Sequence, residues 1–334
     1  MSGRRSTGTY DETDVRVRPG RGSRPRTKVR PAHFDAVPAV VIAVDRGRYT
    51  CLAGPDGQPV TAMRARELGR KAVVVGDRVG IVGDVSGREG SLGRIVRVDQ
   101  RTTVLRRTAD DDDPVERVIV ANADQMVIVT AVAEPEPRPR LVDRCLVAAF
   151  DAGLEPLLCL TKTDLADPSD LLATYAPLGV RALLAGVGQD LDPLRQRLTA
   201  RWSVLVGHSG VGKSTLVNAL VPGADRAIGE VNVVTGRGRH TSTSAVALPL
   251  PDGGWVIDTP GIRSFGLAHV DPRHLVHAFP DLDAVTTDCP RGCTHGMTEP
   301  ECALDDALAA GRLDRARVDS FRRLLASRER QAGD

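Results

Sequence analysis

The sequence predicts a multidomain chain with three folded parts: an N-terminal OB-type β-barrel, a central α/β domain on a mostly parallel sheet, and a helical C-terminal domain built around a Cys/His cluster. Three observations lead there. Residues 36–107 fall into five short apolar runs separated by turn residues. From residue 115 strand-like and helix-like runs alternate. Beyond residue 270 a helical pattern is interrupted by three cysteines and a histidine.

The barrel runs are "PAVVIAVD", "RYTCLAG", "QPVTAMR", "GDRVGIVGDV" and "GRIVRVDQR", with breaks such as Gly54-Pro55-Asp56-Gly57 between them. Five strands in so short a span suit a small OB-type barrel, and an SH3-like barrel would give much the same spacing. "RTTVLRRT" (101–108) and the acidic run Asp110–Asp113 read as a linker. In the α/β part the strands are 125–132, 155–160, 180–185, 203–207, 245–250 and 254–259. Helices fall at 141–153, around 168–176, near 190–200 and at 213–220. Such alternation argues for parallel strands covered by helices. The expected boundaries are a basic arm at 1–35, the barrel at 36–108, the α/β domain at 115–268 and the C-terminal domain at 269–334.

Composition narrows the function. The first thirty residues carry nine Arg/Lys against three Asp/Glu and almost no apolar residues, so they are expected to be disordered, either as a solvated tail or as an arm touching RNA phosphates. No apolar run of membrane-spanning length and no apolar N-terminal signal core occur, so a cytoplasmic chain is expected. Cys145 and Cys159 sit in apolar runs and read as buried thiols rather than disulfide partners. The chain has only four lysines, Lys28, Lys71, Lys162 and Lys213. Two of them fall inside motifs that need a compact ammonium group.

The first such motif is Gly207-His208-Ser209-Gly210-Val211-Gly212-Lys213-Ser214, continued by Thr215. It follows an apolar strand and opens a helix, the context that makes it a phosphate-binding loop. Its backbone N–H groups would surround the phosphates, Lys213 would reach the β- and γ-phosphates, and Ser214 would give its hydroxyl to Mg²⁺. The second is Thr161-Lys162-Thr163-Asp164, also at a strand end. The Asp164 carboxylate can accept from guanine N1–H and its 2-amino group together, which adenine cannot satisfy. Thr161 stands where Asn is usual. A backbone N–H at Ala185-Gly186 would back the guanine O6. The third is Asp258-Thr259-Pro260-Gly261, with Asp258 holding Mg²⁺ through water and the Gly261 N–H meeting the γ-phosphate. The next residue, Ile262, cannot orient water, so His240 is the candidate for that role, with Thr241 as the switch threonine for Mg²⁺ and Thr243 as its alternative. The loop 229–244 that carries them is expected to be ordered only by GTP or a partner. Cys289, Cys293, His295 and Cys302 form a ligand set suited to one tetrahedral structural zinc.

The base reader precedes the phosphate loop, the reverse of the ordinary order, so the central part reads as a circularly permuted P-loop GTPase domain. With "GHSGVGKSTLVNAL", "GRHTSTSA", "DTPGIRSFGL" and "CPRGCTHGMTEPEC", the chain resembles the ribosome small-subunit-dependent GTPase A family over residues 36–330. The spacing within its Cys/His cluster is shifted by one residue from that family's usual pattern. The resemblance implies a monomeric GTP hydrolase that binds the small (30S) ribosomal subunit, is stimulated by it and assists its late maturation, with rRNA contacts through the barrel. It also implies that His240 takes part in hydrolysis. Tyr49 is the only aromatic residue in 36–107, so arginine–phosphate contacts suit the barrel better than base stacking. The alternatives are a nucleotide-regulated RNA-binding scaffold with negligible turnover and a P-loop ATPase.

Asp164→Asn presents an amide donor to a guanine donor, which should cost roughly 2–5 kcal/mol of GTP binding and abolish the preference for guanine over adenine. Titration of both nucleotides measures it, and parent-like GTP affinity in the variant would remove Asp164 from base reading.

Overall fold

The computed structural model describes residues 33–69, 73–107, 117–224, 245–259, 267 and 270–327. The basic arm, the acidic run and the loop 229–244 lie outside the described residues, apart from the last three residues of the arm.

Five strands close the barrel: β1 (Val37–Asp45), β2 (Arg48–Ala53), β3 (Gln58–Arg64), β4 (Arg78–Gly83) and β5 (Gly93–Val98). Their order is β1-β2-β3-β5-β4, closed by a β1–β4 pairing. Antiparallel neighbours with one parallel pair, β3–β5, select the OB-type barrel over the SH3-like alternative. Val41, Cys51, Val60, Ile81 and Ile95 fill its core.

The linker reading of 101–108 is corrected. β6 (Val104–Arg107) pairs antiparallel with β7 (Arg117–Ala121) across the acidic run. Two arginines in a four-residue strand hide it from any apolar pattern, and the acidic run between it and its partner reads as a linker. Asn122, at the end of β7, then ties this ribbon to the barrel. Its side chain accepts from the Thr102 N–H at 2.8 Å and donates to the Gly76 carbonyl at 2.8 Å.

The α/β sheet contains β8 (Gln125–Ala131), β9 (Glu155–Thr161), β10 (Arg181–Leu184), β11 (Trp202–Val206), β12 (Val246–Pro249) and β13 (Trp255–Asp258). The order is β10-β9-β8-β11-β13-β12. All pairs are parallel except β12–β13. β8 is buried along its whole length, which is why it reads as an unbroken apolar run. Helix α1 (Pro139–Asp151) starts on a proline whose missing N–H costs nothing there, and it stops before Gly153, whose φ of +69° is the left-handed turn a helix end favours. Next come α2 (Ser169–Tyr175), α3 (Asp192–Leu198) and α4 (Lys213–Leu220).

The C-terminal helices α5 (Pro280–Thr286), α6 (Ala303–Ala309) and α7 (Arg315–Ser327) form a layer that docks on α1 through α7. One apolar core runs through both parts. Phe150 of α1 meets Phe279 edge-on at 4.9 Å, and Phe279 meets Phe321 of α7 at 5.3 Å. Three of the chain's five phenylalanines are thus spent on this junction. Leu267 and Val270, on the segment that leads here from the DTPG motif, are buried in the same core. Polar contacts close its rim. Arg323 donates to the buried Asp143 at 3.1 Å and lies 5.3 Å over the Tyr175 ring, while Arg144 donates to the Ser327 carbonyl at 2.9 Å. Burial pushes the Asp143 carboxyl above the usual range, and the Arg323 charge opposes that shift.

Candidate nucleotide and metal sites

The strand order reverses between β8 and β11, since β9 and β10 lie on one side of β8 and β11, β13 and β12 on the other. Ligands of open α/β sheets bind at such a point, beyond the C-terminal strand ends. The three nucleotide motifs emerge at that edge: TKTD from β9, the glycine loop from β11 and DTPG from β13.

The glycine loop is shaped by what its residues cannot carry. A Cβ on Gly207 would stand 2.4 Å from the Val129 carbonyl oxygen, so no side chain fits against β8. Gly210 and Gly212 hold φ of +83° and +87°, a left-handed backbone that favours glycine. Gly212 opens α4 with no side chain capping the first turn, which leaves the helix N–H groups for an anion. Lys213 donates to Asp258 Oδ1 in a partly buried ion pair. The charged residues of two motifs therefore meet at the start of α4. Ser214 and Thr215 lie on its first turn, and His208 Nδ1 lies 2.7 Å from the Ser209 carbonyl oxygen. Beside Asp258, the buried Thr259 hydroxyl donates to the Leu205 carbonyl at 2.7 Å and ties β13 to β11.

Thr161 does something the sequence did not reveal. Its buried hydroxyl donates to the carbonyl of Val211, inside the glycine loop, at 2.6 Å, and lies 3.3 Å from the Thr130 carbonyl oxygen at the end of β8. It joins the TKTD loop to the glycine loop. Lys162, at φ +57°, donates to the Glu134 carbonyl in the loop after β8. Asp164 is exposed, and its Oδ1 receives a long 3.4 Å contact from the Val187 N–H. The Ala185 expectation is corrected. Its N–H donates to the Leu160 carbonyl at 2.7 Å, extending the β9–β10 pairing, and is not free for a base. Gly186 packs so closely that a Cβ there would sit 2.3 Å from Thr163 Oγ1. That hydroxyl is buried without a hydrogen-bond partner among the described residues. The only sequence signal for this contact was the glycine itself. His240, Thr241, Thr243, Gly261 and Ile262 lie outside the described residues.

Cys289, Cys293, His295 and Cys302 converge, their donor atoms all within 4.8 Å of one another. The three sulfurs stand 3.6, 3.5 and 3.9 Å from His295 Nδ1. A tetrahedral zinc with Zn–S of about 2.3 Å and Zn–N of about 2.0–2.1 Å has sulfur–nitrogen edges of about 3.6 Å. The chemistry and spacing of the donor set therefore fit zinc. The N–H groups of His295 and Ala303 point at Cys293 and Cys289 from 3.4 and 3.3 Å, supporting the thiolate form. The other cysteines, Cys51, Cys145 and Cys159, are buried, and burial pushes each thiol up to about 12, as suits inert core residues.

A family profile described as RsgA GTPase matches residues 98–268. A protein named small ribosomal subunit biogenesis GTPase RsgA from Pseudomonas fluorescens is 43% identical over 265 residues, covering 77% of this chain and 75% of that protein. Its namesake from Pseudomonas aeruginosa is 42% identical, covering 77% and 76%. The crystal structure of YjeQ from Thermotoga maritima is 26% identical, with a TM-score of 0.65 over 87% of this chain and 98% of that one. The structure of YloQ, described as a circularly permuted GTPase, shares the fold at 24% identity, with a TM-score of 0.62 over 90% and 97%.

Thr161→Val keeps the shape but deletes the tie to Val211, leaving a buried carbonyl short of a donor. Affinity for GDP and GTP should fall alike, by about 1–2 kcal/mol, with guanine preference intact. Calorimetric titration with guanine and adenine nucleotides checks it. Protein purified in reductant should hold one zinc per chain, and chelation should speed amide exchange around 289–309 before nucleotide binding is lost. Metal analysis and hydrogen exchange read both; metal near zero would dismiss the site.

Proposed function

The chain belongs to the RsgA GTPase family, and from that premise we propose that this GTPase of ribosome biogenesis binds the small ribosomal subunit, is stimulated by it, and assists its late maturation. The observation that carries the site assignment is the junction at the sheet edge, where Thr161 bonds the glycine loop and Lys213 meets Asp258. On this reading the TKTD loop after β9 is the base reader, the glycine loop after β11 the phosphate cradle and the motif that opens at Asp258 the γ-phosphate sensor, all at one edge of the sheet.

Asp164 accepts the two guanine donors, and Lys162 packs its stem along the nucleotide. The glycine-loop N–H groups and the α4 N-terminus hold the phosphates, and Lys213 exchanges Asp258 for the β- and γ-phosphate oxygens. Ser214 and Thr241 would hold Mg²⁺, with Asp258 assisting, and the ion would neutralise charge on the phosphates. His240 orients the attacking water, the role that Ile262 cannot fill. The Arg-rich barrel meets rRNA through phosphate contacts, and the zinc cluster holds the C-terminal part in shape. No helix among the described residues is long and apolar enough to cross a membrane.

Hydrolysis of GTP and ATP, each with and without small subunits, tests the reading. GTP turnover that rises with subunits, with ATP ignored, is expected; ATP turnover would favour an ATPase, and no turnover a scaffold. His240→Ala should bind GTP normally and hydrolyse it about a hundredfold or more slowly with saturating subunits, the lower end of general acid–base effects. Unchanged stimulated turnover would take His240 out of the reaction.

A further inference from the structure

The barrel and the α/β sheet share a strand. Val37–Val40 of β1 pair with β4 and close the barrel. Ala43 of the same strand pairs antiparallel with Val246 of β12, at the edge of the α/β sheet. Between them β1 carries an irregularity. Val41 opposes Cys51 and Ala43 opposes Thr50, which leaves Ile42 as the extra residue of a bulge. The three side chains go to three cores: Val41 to the barrel, and Ile42 and Ala43 to the two separate cores of the α/β part. All three are buried.

The pairing continues inward. Val246 is the register partner of Asp258 in β13. Ala43, Val246 and Asp258 therefore form one row across three strands. At about 4.8 Å per strand step, the barrel backbone lies about 10 Å from that of the residue that pairs with Lys213. β12 has only four residues, and β1 covers its outer edge. Paired strands do not slide past one another without breaking ladder bonds and turning side chains to the wrong face. A displacement of β1 is therefore passed to β12 and on to Asp258.

We infer that β1 is a positioning element for the hydrolytic site, linking what binds the barrel to Asp258 through the row Ala43–Val246–Asp258. The link rests on the reading that subunit binding stimulates this GTPase. Its partner is the polyanionic RNA surface met by the barrel, and its output is the placement of the Asp258 carboxylate against Lys213 and the phosphates. β1 touches no nucleotide. It acts on turnover and not on affinity.

Ala43→Gly removes the Cβ at the joint and loosens the strand there. Basal turnover, KM for GTP and subunit affinity should stay within about twofold, while subunit-stimulated kcat drops about fivefold or more, the lower end of coupling between sites. A second variant tightens the joint. Directly opposed antiparallel residues lie within disulfide span, so Ala43→Cys with Val246→Cys should close on oxidation and keep parent-like stimulation. Zinc content is checked after oxidation. Full stimulation in Ala43→Gly with subunit bound, or loss of stimulation in the cross-linked form, overturns the link. Absence of stimulation in the parent would instead refute the subunit reading. The link is then judged by amide exchange in nucleotide-bound protein: Ala43→Gly should speed exchange at 255–258 relative to 125–131, and equal protection overturns it.

Discussion

Parallel pairing of β8 with β9 on one side and β11 on the other is the constraint on which the rest depends. Parallel strands deliver their C-terminal ends to one edge, whatever their order in the chain. The nucleotide motifs can therefore be permuted in sequence and still converge, provided the same strands re-form. Here the TKTD loop is met before the glycine loop, yet only β8 separates their strands in space. The Thr161 hydroxyl spans that gap to the Val211 carbonyl, so the two loops do not set their spacing independently.

Permutation also decides where the chain goes after the DTPG motif. It leaves DTPG for the C-terminal helices, and Leu267 and Val270 anchor that path in the core shared with α1. Phe150, Phe279 and Phe321 pack edge-on through the junction, and each such ring pair adds about 0.5–1.5 kcal/mol beyond the apolar area it buries. A wide swing of the C-terminal part would expose this core. Any nucleotide signal to the zinc region would travel as a small shift of α1 against α7 rather than as a free hinge. The Asp143–Arg323 pair at the rim adds more alignment than energy, because burial of the carboxylate offsets much of the attraction.

The barrel is fixed by a different kind of contact. Buried Asp77 accepts the Val74 N–H at 2.8 Å and pairs with Arg101 at 2.7 Å, and Asn122 bonds both the barrel turn at Gly76 and the strand ribbon. A Cβ on Gly76, at φ +87°, would lie 1.9 Å from the Ala121 carbonyl oxygen, so barrel and ribbon touch backbone to backbone. With β1 crossing from one sheet to the other, the barrel is an extension of the α/β part and not a bead on a string.

What the sequence determined by itself is local chemistry. The glycines at 207, 210 and 212 announce a loop that no side chain can occupy, the two motif lysines stand out in a chain that otherwise uses arginine, and three cysteines with one histidine name their metal class by ligand type. Each signal is carried by residues close in sequence, where backbone preference and donor chemistry suffice. Only the tertiary structure decided the rest. The Arg-rich strand β6 exists because β7 folds back across the acidic run to pair with it, Ala185 gives its N–H to Leu160 because β10 lies beside β9, and Thr161 finds Val211 because β8 holds two loops at the right distance. The row from Ala43 through Val246 to Asp258 sets β1 in register with a strand pair about two hundred residues further on, and no strand encodes on its own which residue it will face.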